Sequence, residues 1–401
     1  MGKKKKEPEL KKHLERKEEK RGEENVLAEK VLLARESTGL SLSKAAENLG
    51  FNNYQTLANI EKGVRKINAN ELIDMARLYG RSLAYFFEPD ISLDPQPLWR
   101  KTTDIDVRDV QRQFRTFLEN YSTLENLLGL ERRWKDIQKN YDRRDFSKQG
   151  FRLAKKLGGD YCASLNLGSR PASNLLNVLE SDLRIKILHL KLENGISGGS
   201  VVDDKLGVGI LINSKDVPWR RNFDLAHELF HIVTWNVFSH EEVGDGTGAE
   251  KTVPEQYADT FAASLLLPEK QFWGALKDIT IDGHIRLVNI IELAKDFGVS
   301  TEAVLWRLVN LNVLRKEKVS EIIDNPERRS VDRAMRRPLY SQLTPSKFPE
   351  RYVSLACRCL IDGKISRGTF AEYLEIDRAE VDSFLKKQGF VEENYEEIAA
   401  A

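Results

Sequence analysis

The chain has 401 residues, with 63 basic against 62 acidic side chains and a hydrophobic fraction of 41%. That length supports two or three globular domains, and the even charge balance removes any global electrostatic argument for a nucleic-acid or membrane partner. No apolar run is long enough to cross a bilayer, the Lys-rich start lacks the hydrophobic stretch of a secretion signal, and three cysteines make no disulfide framework, so the expected compartment is the cytoplasm.

Residues 1–27 open with MGKKKKEPELKKHLERKEEKRGEEN. Almost without apolar side chains, they read as a charged N-terminal arm, disordered or a frayed helix. Residues 28–88 read as a compact helical module. Ser43 can cap a short helix bearing Ala45, Ala46 and Leu49, Gly50 permits a tight turn, and a second helix carries Leu57 and Ile60 inward. Asn53, Tyr54, Gln55, Thr56 and Asn59 then fall at the start and along the outer face of the second helix, where Asn or Gln can pair with adenine in a major groove. Lys62, Arg65 and Lys66 follow and suit phosphate contacts. A helical interaction module that touches no DNA would present the same polar face.

Across SLSKAAENLGFNNYQTLANIEKG and on to the terminal LAYFF, this module resembles the XRE-type (Cro/C1-like) helix-turn-helix in its five-helix form. The turn between Gly50 and Ile60 is one residue longer than the commonest form. The resemblance implies double-stranded operator DNA as a partner, read by a homodimer at two half-sites.

The stretch EPDISLDPQPLW makes residues 89–103 a linker. Residues 104–180 read as a helical region, with VQRQFRTFLENYSTLENLLGL carrying apolar side chains at helical spacing. RIKILHLKL, GSVVDD and GVGILIN are strand candidates for a small sheet. The last of these, Gly207 to Ile212, precedes the most informative helix of the chain. It is either an edge strand able to hold an extended peptide by main-chain hydrogen bonds or a plain core strand.

That helix lies in NFDLAHELFHIVTW. His227 and His231, four residues apart, share one helix face and can reach one metal ion, while Glu228 projects beside the water such an ion would bind. Asn222 can cap the helix, and Phe223, Leu225, Ala226, Leu229, Phe230, Ile232 and Val233 supply its apolar stripe. Two imidazoles among so many apolar side chains need partners, and a shared cation meets that need. Farther on, VPEQYADTFAASLLLP starts a helix at Pro254 and stops it at Pro268. Glu255 and Asp259, four apart, can divide the work: Glu255 binding metal, Asp259 accepting the second N–H of a ligating histidine. His240 reads as a surface residue, because a catalytic ion needs an open position for water.

HELFH, the EQYADTFAASLLLP run and the preceding GVGILINSKDVPWRRNFDLA together resemble the ImmA/IrrE-type metallopeptidases, zinc enzymes of bacteria and their mobile elements that cleave a transcriptional repressor. The resemblance covers residues 181–315, with Leu267-Pro268 where the family usually has Met-Pro. It implies a zincin-like core, His227, His231 and Glu255 as ligands to Zn2+, and Glu228 as general base and then general acid.

Residues 316–349, which include DNPERRSVDRAMRRPLYSQLTP, read as a basic and flexible connection, and residues 350–401 as a C-terminal helical domain. Cys357 and Cys359 read as helix residues, one of them buried. The expected fold class is therefore mainly α with a small β-sheet (α+β). The expected function is a DNA-binding zinc endopeptidase that cuts a repressor or itself, with no membrane partner. The alternative is a helix-turn-helix regulator or antitoxin-like autorepressor whose peptidase-like part senses or dimerises without turnover.

Overall fold

The computed structural model describes residues 26–36, 38–81, 83–87, 98–101, 107–131, 141–193, 196–238, 242–243, 251–340 and 344–390. The N-terminal arm up to residue 25, most of the linker and His240 lie outside the described residues. The chain forms two compact units, one of residues 1–95 with 106–119, the other of 96–105 with 120–401. It is mainly helical with one small sheet.

In the first unit, α1 (26–36) is followed by α2 (Leu42–Asn48), α3 (Tyr54–Glu61), α4 (Ala69–Tyr79) and α5 (Leu83–Phe87). Their core is Val31, Ala34, Ala45, Ala46, Leu57, Ile60, Met75, Tyr79 and Phe86. The cap of α2 is Ser41 and not Ser43: Ser41 has extended backbone and its hydroxyl accepts from the Lys44 N–H at 3.3 Å, whereas Ser43 already lies inside the first turn. Gly50 takes a left-handed φ of 71°, the conformation that lets the chain turn sharply into α3. A two-pronged ion pair, Arg35 Nε to Glu61 Oε1 at 2.7 Å and Arg35 Nη2 to Glu61 Oε2 at 3.0 Å, clamps α1 to the end of α3.

The second unit is built on a sheet of β1 (Leu98–Lys101), β2 (Lys186–Leu190), β3 (Ile196–Asp203) and β4 (Gly207–Asn213), in the order β1-β3-β4-β2. β3 runs antiparallel to both β1 and β4, and β4 runs parallel to β2. Of the two readings open for Gly207 to Ile212 the core strand holds, and one expectation changes. β4 is an interior strand, buried along its whole length and paired on both sides, so it has no free edge for a peptide. Part of the expected linker is a strand, because the outer edge of β3 offers residues 98–101 backbone partners.

Around the sheet stand α6 (Arg108–Leu127), which runs on from the first unit, α7 (Arg143–Gln149), α8 (Phe151–Ser164) and α9 (Pro171–Asn177). Then follow α10 (Pro218–Val233), α11 (Val253–Leu266), α12 (Glu269–Ile279), α13 (Leu287–Asp296) and α14 (Thr301–Asn310). α8 and α11 touch backbone to backbone at Gly158, where a Cβ would sit 2.4 Å from the Phe261 carbonyl oxygen. Only glycine allows that approach, and it draws α11 against the core beside α10.

The stretch read as a flexible connection is helical over α15 (Lys316–Asp324) and α16 (Pro326–Tyr340). Its charges turn inward to partners: buried Arg336 donates to Asp332 Oδ1 at 2.7 Å and to the Val299 carbonyl at 3.0 Å, with its guanidinium 4.4 Å from the Trp219 ring centre. Beyond lie α17 (Glu350–Ile361), α18 (Arg367–Leu374) and α19 (Val381–Lys387). Arg351 on α17 donates to Glu125 Oε1 at 2.7 Å and to the Tyr121 hydroxyl at 2.9 Å, while Lys186 on β2 holds Glu125 Oε2 at 2.9 Å. Both Cys357 and Cys359 are buried, where one was expected, because α17 is covered on the face that carries each. Among the described residues no helix is long and apolar enough to cross a membrane.

Near Arg351, burial lifts the Glu180 carboxyl from 4.5 to about 7, with Glu350 adding to the rise and Arg351 opposing it. Between pH 4.5 and 7 the folded chain thus holds a proton that the unfolded chain releases, so this group's contribution to stability is lost as pH rises. Glu180→Gln is expected to raise the melting temperature at pH 8 by roughly 3 °C or more and to leave it unchanged near pH 4.5. Thermal unfolding at the two pH values checks this, and an equal shift at both would contradict it.

Candidate metal centre

α10 begins with Pro218 in its first turn, which needs no N–H donor there, and has no side-chain cap. Asn222 is not the cap expected from the sequence. It sits a full turn inside the helix and donates from Nδ2 to the Gly298 carbonyl at 2.9 Å. From Asp224 to Val233 every residue of α10 is buried, packed between β3 and β4 on one side and α11 on the other. His227 is 0% exposed, Glu228 1% and His231 3%. α11 starts at Pro254 in its first turn and ends just before Pro268, as the sequence reading placed it.

The two helices bring three donors together. His227 Nε2 lies 3.1 Å from His231 Nε2 and 3.1 Å from Glu255 Oε2, and His231 Nε2 lies 3.0 Å from Glu255 Oε1. Two imidazoles and a carboxylate on tetrahedral zinc, with bonds of about 2.1 Å, stand about 3.4 Å apart, so the observed triangle fits that ion with a small outward relaxation. His227 Nδ1 donates to Asp259 Oδ1 at 3.0 Å, and Lys251 pairs with the other Asp259 oxygen. Because the carboxylate can only accept, His227 keeps its proton on Nδ1 and turns the Nε2 lone pair to the centre. His227, His231 and Glu255 form a buried group able to hold a metal ion.

Burial alone would raise the Glu255 carboxyl, but the two imidazoles draw it down well below the ordinary carboxylate range. Asp259 follows the same pattern: burial raises it, His227 and Lys251 outweigh that, and the result is about 2. Both side chains are therefore anionic. Glu228 differs from both. Its two oxygens are buried and take no hydrogen bond among the described residues. A carboxylate so placed is costly unless a polar species shares the space with it.

Next to this centre a cavity of about 580 Å³ is lined by Trp219, Phe223, Trp306, Asp224, Arg307 and Asp259, among others. Asp259 thus links the cavity wall to a centre donor. Sequence reading missed Lys251, Gly198 and residues 98–101 as neighbours of the site. The Gly198-Gly199 pair was the available signal, since glycine inside a strand marks a close approach.

In the first unit, Tyr54, Gln55, Asn59, Lys62 and Lys66 are exposed, as expected for a DNA-facing helix. Asn53 is spent as the cap of α3, its Oδ1 accepting from the half-buried Thr56 at the backbone N–H (3.1 Å) and the hydroxyl (3.2 Å). Arg65 is exposed but forms a two-pronged pair with Glu71, at 2.8 and 3.1 Å.

Two family models match the chain. Residues 180–309 match the IrrE N-terminal-like domain, Peptidase_M78, and residues 32–86 match a helix-turn-helix of the XRE type. Together they reproduce the ImmA/IrrE-plus-XRE architecture, and the first assigns a metallopeptidase-type domain. No curated protein matches the chain.

Asp259→Ala removes the acceptor that orients His227 and is expected to weaken zinc affinity about 10- to 100-fold. Competition against a chromophoric chelator measures it. Unchanged affinity would show that the hydrogen bond does not orient the ligand.

Proposed function

We propose that this chain, which joins an XRE-type helix-turn-helix domain to an IrrE N-terminal-like peptidase domain, is a zinc-dependent regulatory endopeptidase of the cytoplasm. Its substrate is a transcriptional repressor, or its own chain, cut at one peptide bond. The observation that carries this reading is Glu228, a buried carboxylate with no hydrogen-bond partner among the described residues, one residue from His227. A purely structural metal site has no use for such a group. When bound, zinc supplies a Lewis acid that lowers the pKa of water towards about 7.

The chain's own residues do the rest. Glu255, His227 and His231 supply three donors and leave one position open. Asp259 fixes the tautomer of His227. Glu228 takes a proton on a carboxylate oxygen and returns it to the leaving amine, first base and then acid. The aromatic wall of Trp219, Phe223 and Trp306 suits a bulky side chain of the substrate. Operator binding by the helix-turn-helix raises the local concentration of any repressor bound nearby.

Zinc-loaded protein is expected to cut the repressor encoded beside it into two fragments, and Glu228→Gln, with its zinc content intact, to do so at least about 100-fold more slowly. Equal rates in the two would overturn catalysis through Glu228. Gln55→Ala is expected to weaken operator binding by about 1–3 kcal/mol without touching zinc uptake. A gel-shift titration reads the affinity, and no change would remove Gln55 from the DNA face.

A further inference from the structure

β3 passes beside the candidate general base at Gly198. A Cβ on Gly198 would lie 3.6 Å from Glu228 Oε1 and 2.7 Å from the Leu211 carbonyl oxygen, so bare backbone passes beside the carboxylate. A peptide to be cut must lie extended within reach of Glu228 and the three donors. The ladder that can hold it there is the outer edge of β3, since β4 is paired on both sides.

That edge is taken. Leu98 stands opposite Ser200, Trp99 opposite Gly199 and Arg100 opposite Gly198, running antiparallel, and the register breaks between Arg100 and Lys101. The chain's own strand thus passes Gly198 and bulges at the next step, Lys101 pairing with Ile196. We propose that Leu98–Lys101 is a built-in occupant of the peptide-binding edge, which keeps substrate off until it is peeled away. The proposal rests on the endopeptidase reading and adds its regulation.

Two features make the strand displaceable. It is four residues long and pairs on one side only, and short edge strands are weakly held. Residues 96–105 are an excursion of the second unit between two stretches of the first, residues 1–95 and 106–119. Both ends of the strand are thus joined covalently to the first unit. While it stays tethered, its effective concentration is in the mM range, and a free peptide must compete against that.

The test uses full-length zinc-loaded protein carrying Glu228→Gln, so that binding is read without hydrolysis, and a fluorescein-labelled peptide DPQPLWRKTTD, the sequence of residues 94–104. Trp99→Pro with Arg100→Pro removes a ladder N–H whichever of the two faces β3. Fluorescence polarisation is expected to show the peptide binding this variant at least tenfold more tightly than the unsubstituted strand. Equal binding to both, or none to a variant that still takes up zinc, overturns the proposal. Amide hydrogen exchange decides it without disturbing the strand. Residues 196–203 are expected to open locally, faster than 207–213, and a disulfide from Leu98→Cys with Ser200→Cys to slow them at least tenfold. Exchange of both strands only by global unfolding would make β1 a fixed part of the sheet. Neither readout depends on turnover, so a failure of proteolysis and a failure of this proposal leave different signatures.

Discussion

Two imidazole nitrogens and a carboxylate that face one another across about 3 Å, able together to hold a metal ion, are the constraint to which the second unit is fitted. Asp259 takes the Nδ1 proton of His227, so the Nε2 atom offers a lone pair to a space that Glu255 also faces with negative charge. Such an arrangement is stable in a buried setting only when a cation or protons fill it. The helices that hold it are correspondingly apolar on their other faces: Leu225, Leu229 and Ile232 on α10, Ala258, Phe261 and Leu265 on α11, all in one core. Gly158 extends the same logic outward, because α11 reaches its place only where α8 has no side chain in the way.

Much of this was legible in residue spacing. Histidines four apart share a helix face whatever the tertiary context, and Glu255 and Asp259 follow the same rule on a helix bounded by Pro254 and Pro268. The three strands after residue 185 declared themselves by β-branched runs between turn residues. Pairing partners were another matter. GVGILIN gives the same pattern as an edge or an interior strand, and nothing local says that residues 98–101 will come back to cover β3. The basic run in α16 misled for a related reason: besides Asp332 one turn before it, Arg336 is buried by partners at Val299 and Thr301, which sequence proximity does not select. Caps failed by two residues at α2, Ser43 for Ser41, and by more than a turn at α10, Asn222 for an uncapped Pro218 start, since several polar residues near a helix start look alike before the chain is folded.

The two units carry different family domains, a helix-turn-helix and a metallopeptidase-type domain. In the first, side chains that could read DNA stand on a helix whose register is set by Asn53 capping and by the Arg35–Glu61 clamp. One expected phosphate contact, Arg65, is already engaged by Glu71, so it shapes the turn after α3 in the free protein. In the second, Glu228 is buried with no hydrogen bond to either oxygen among the described residues, and β3, which passes beside it at Gly198, is paired with the chain segment that lies between stretches of the first unit. A covalent connection thus runs from the helix-turn-helix unit to the strand beside Gly198.

Metal content per folded chain is the most direct measurement of all this. Elemental analysis of the purified protein is expected to find one zinc ion per chain and, after Glu255→Ala or His231→Ala, none retained through dialysis against a mild chelator. A well-folded chain that neither carries zinc nor takes it up on titration, or one whose zinc survives loss of Glu255 and His231, would contradict a centre built from these side chains.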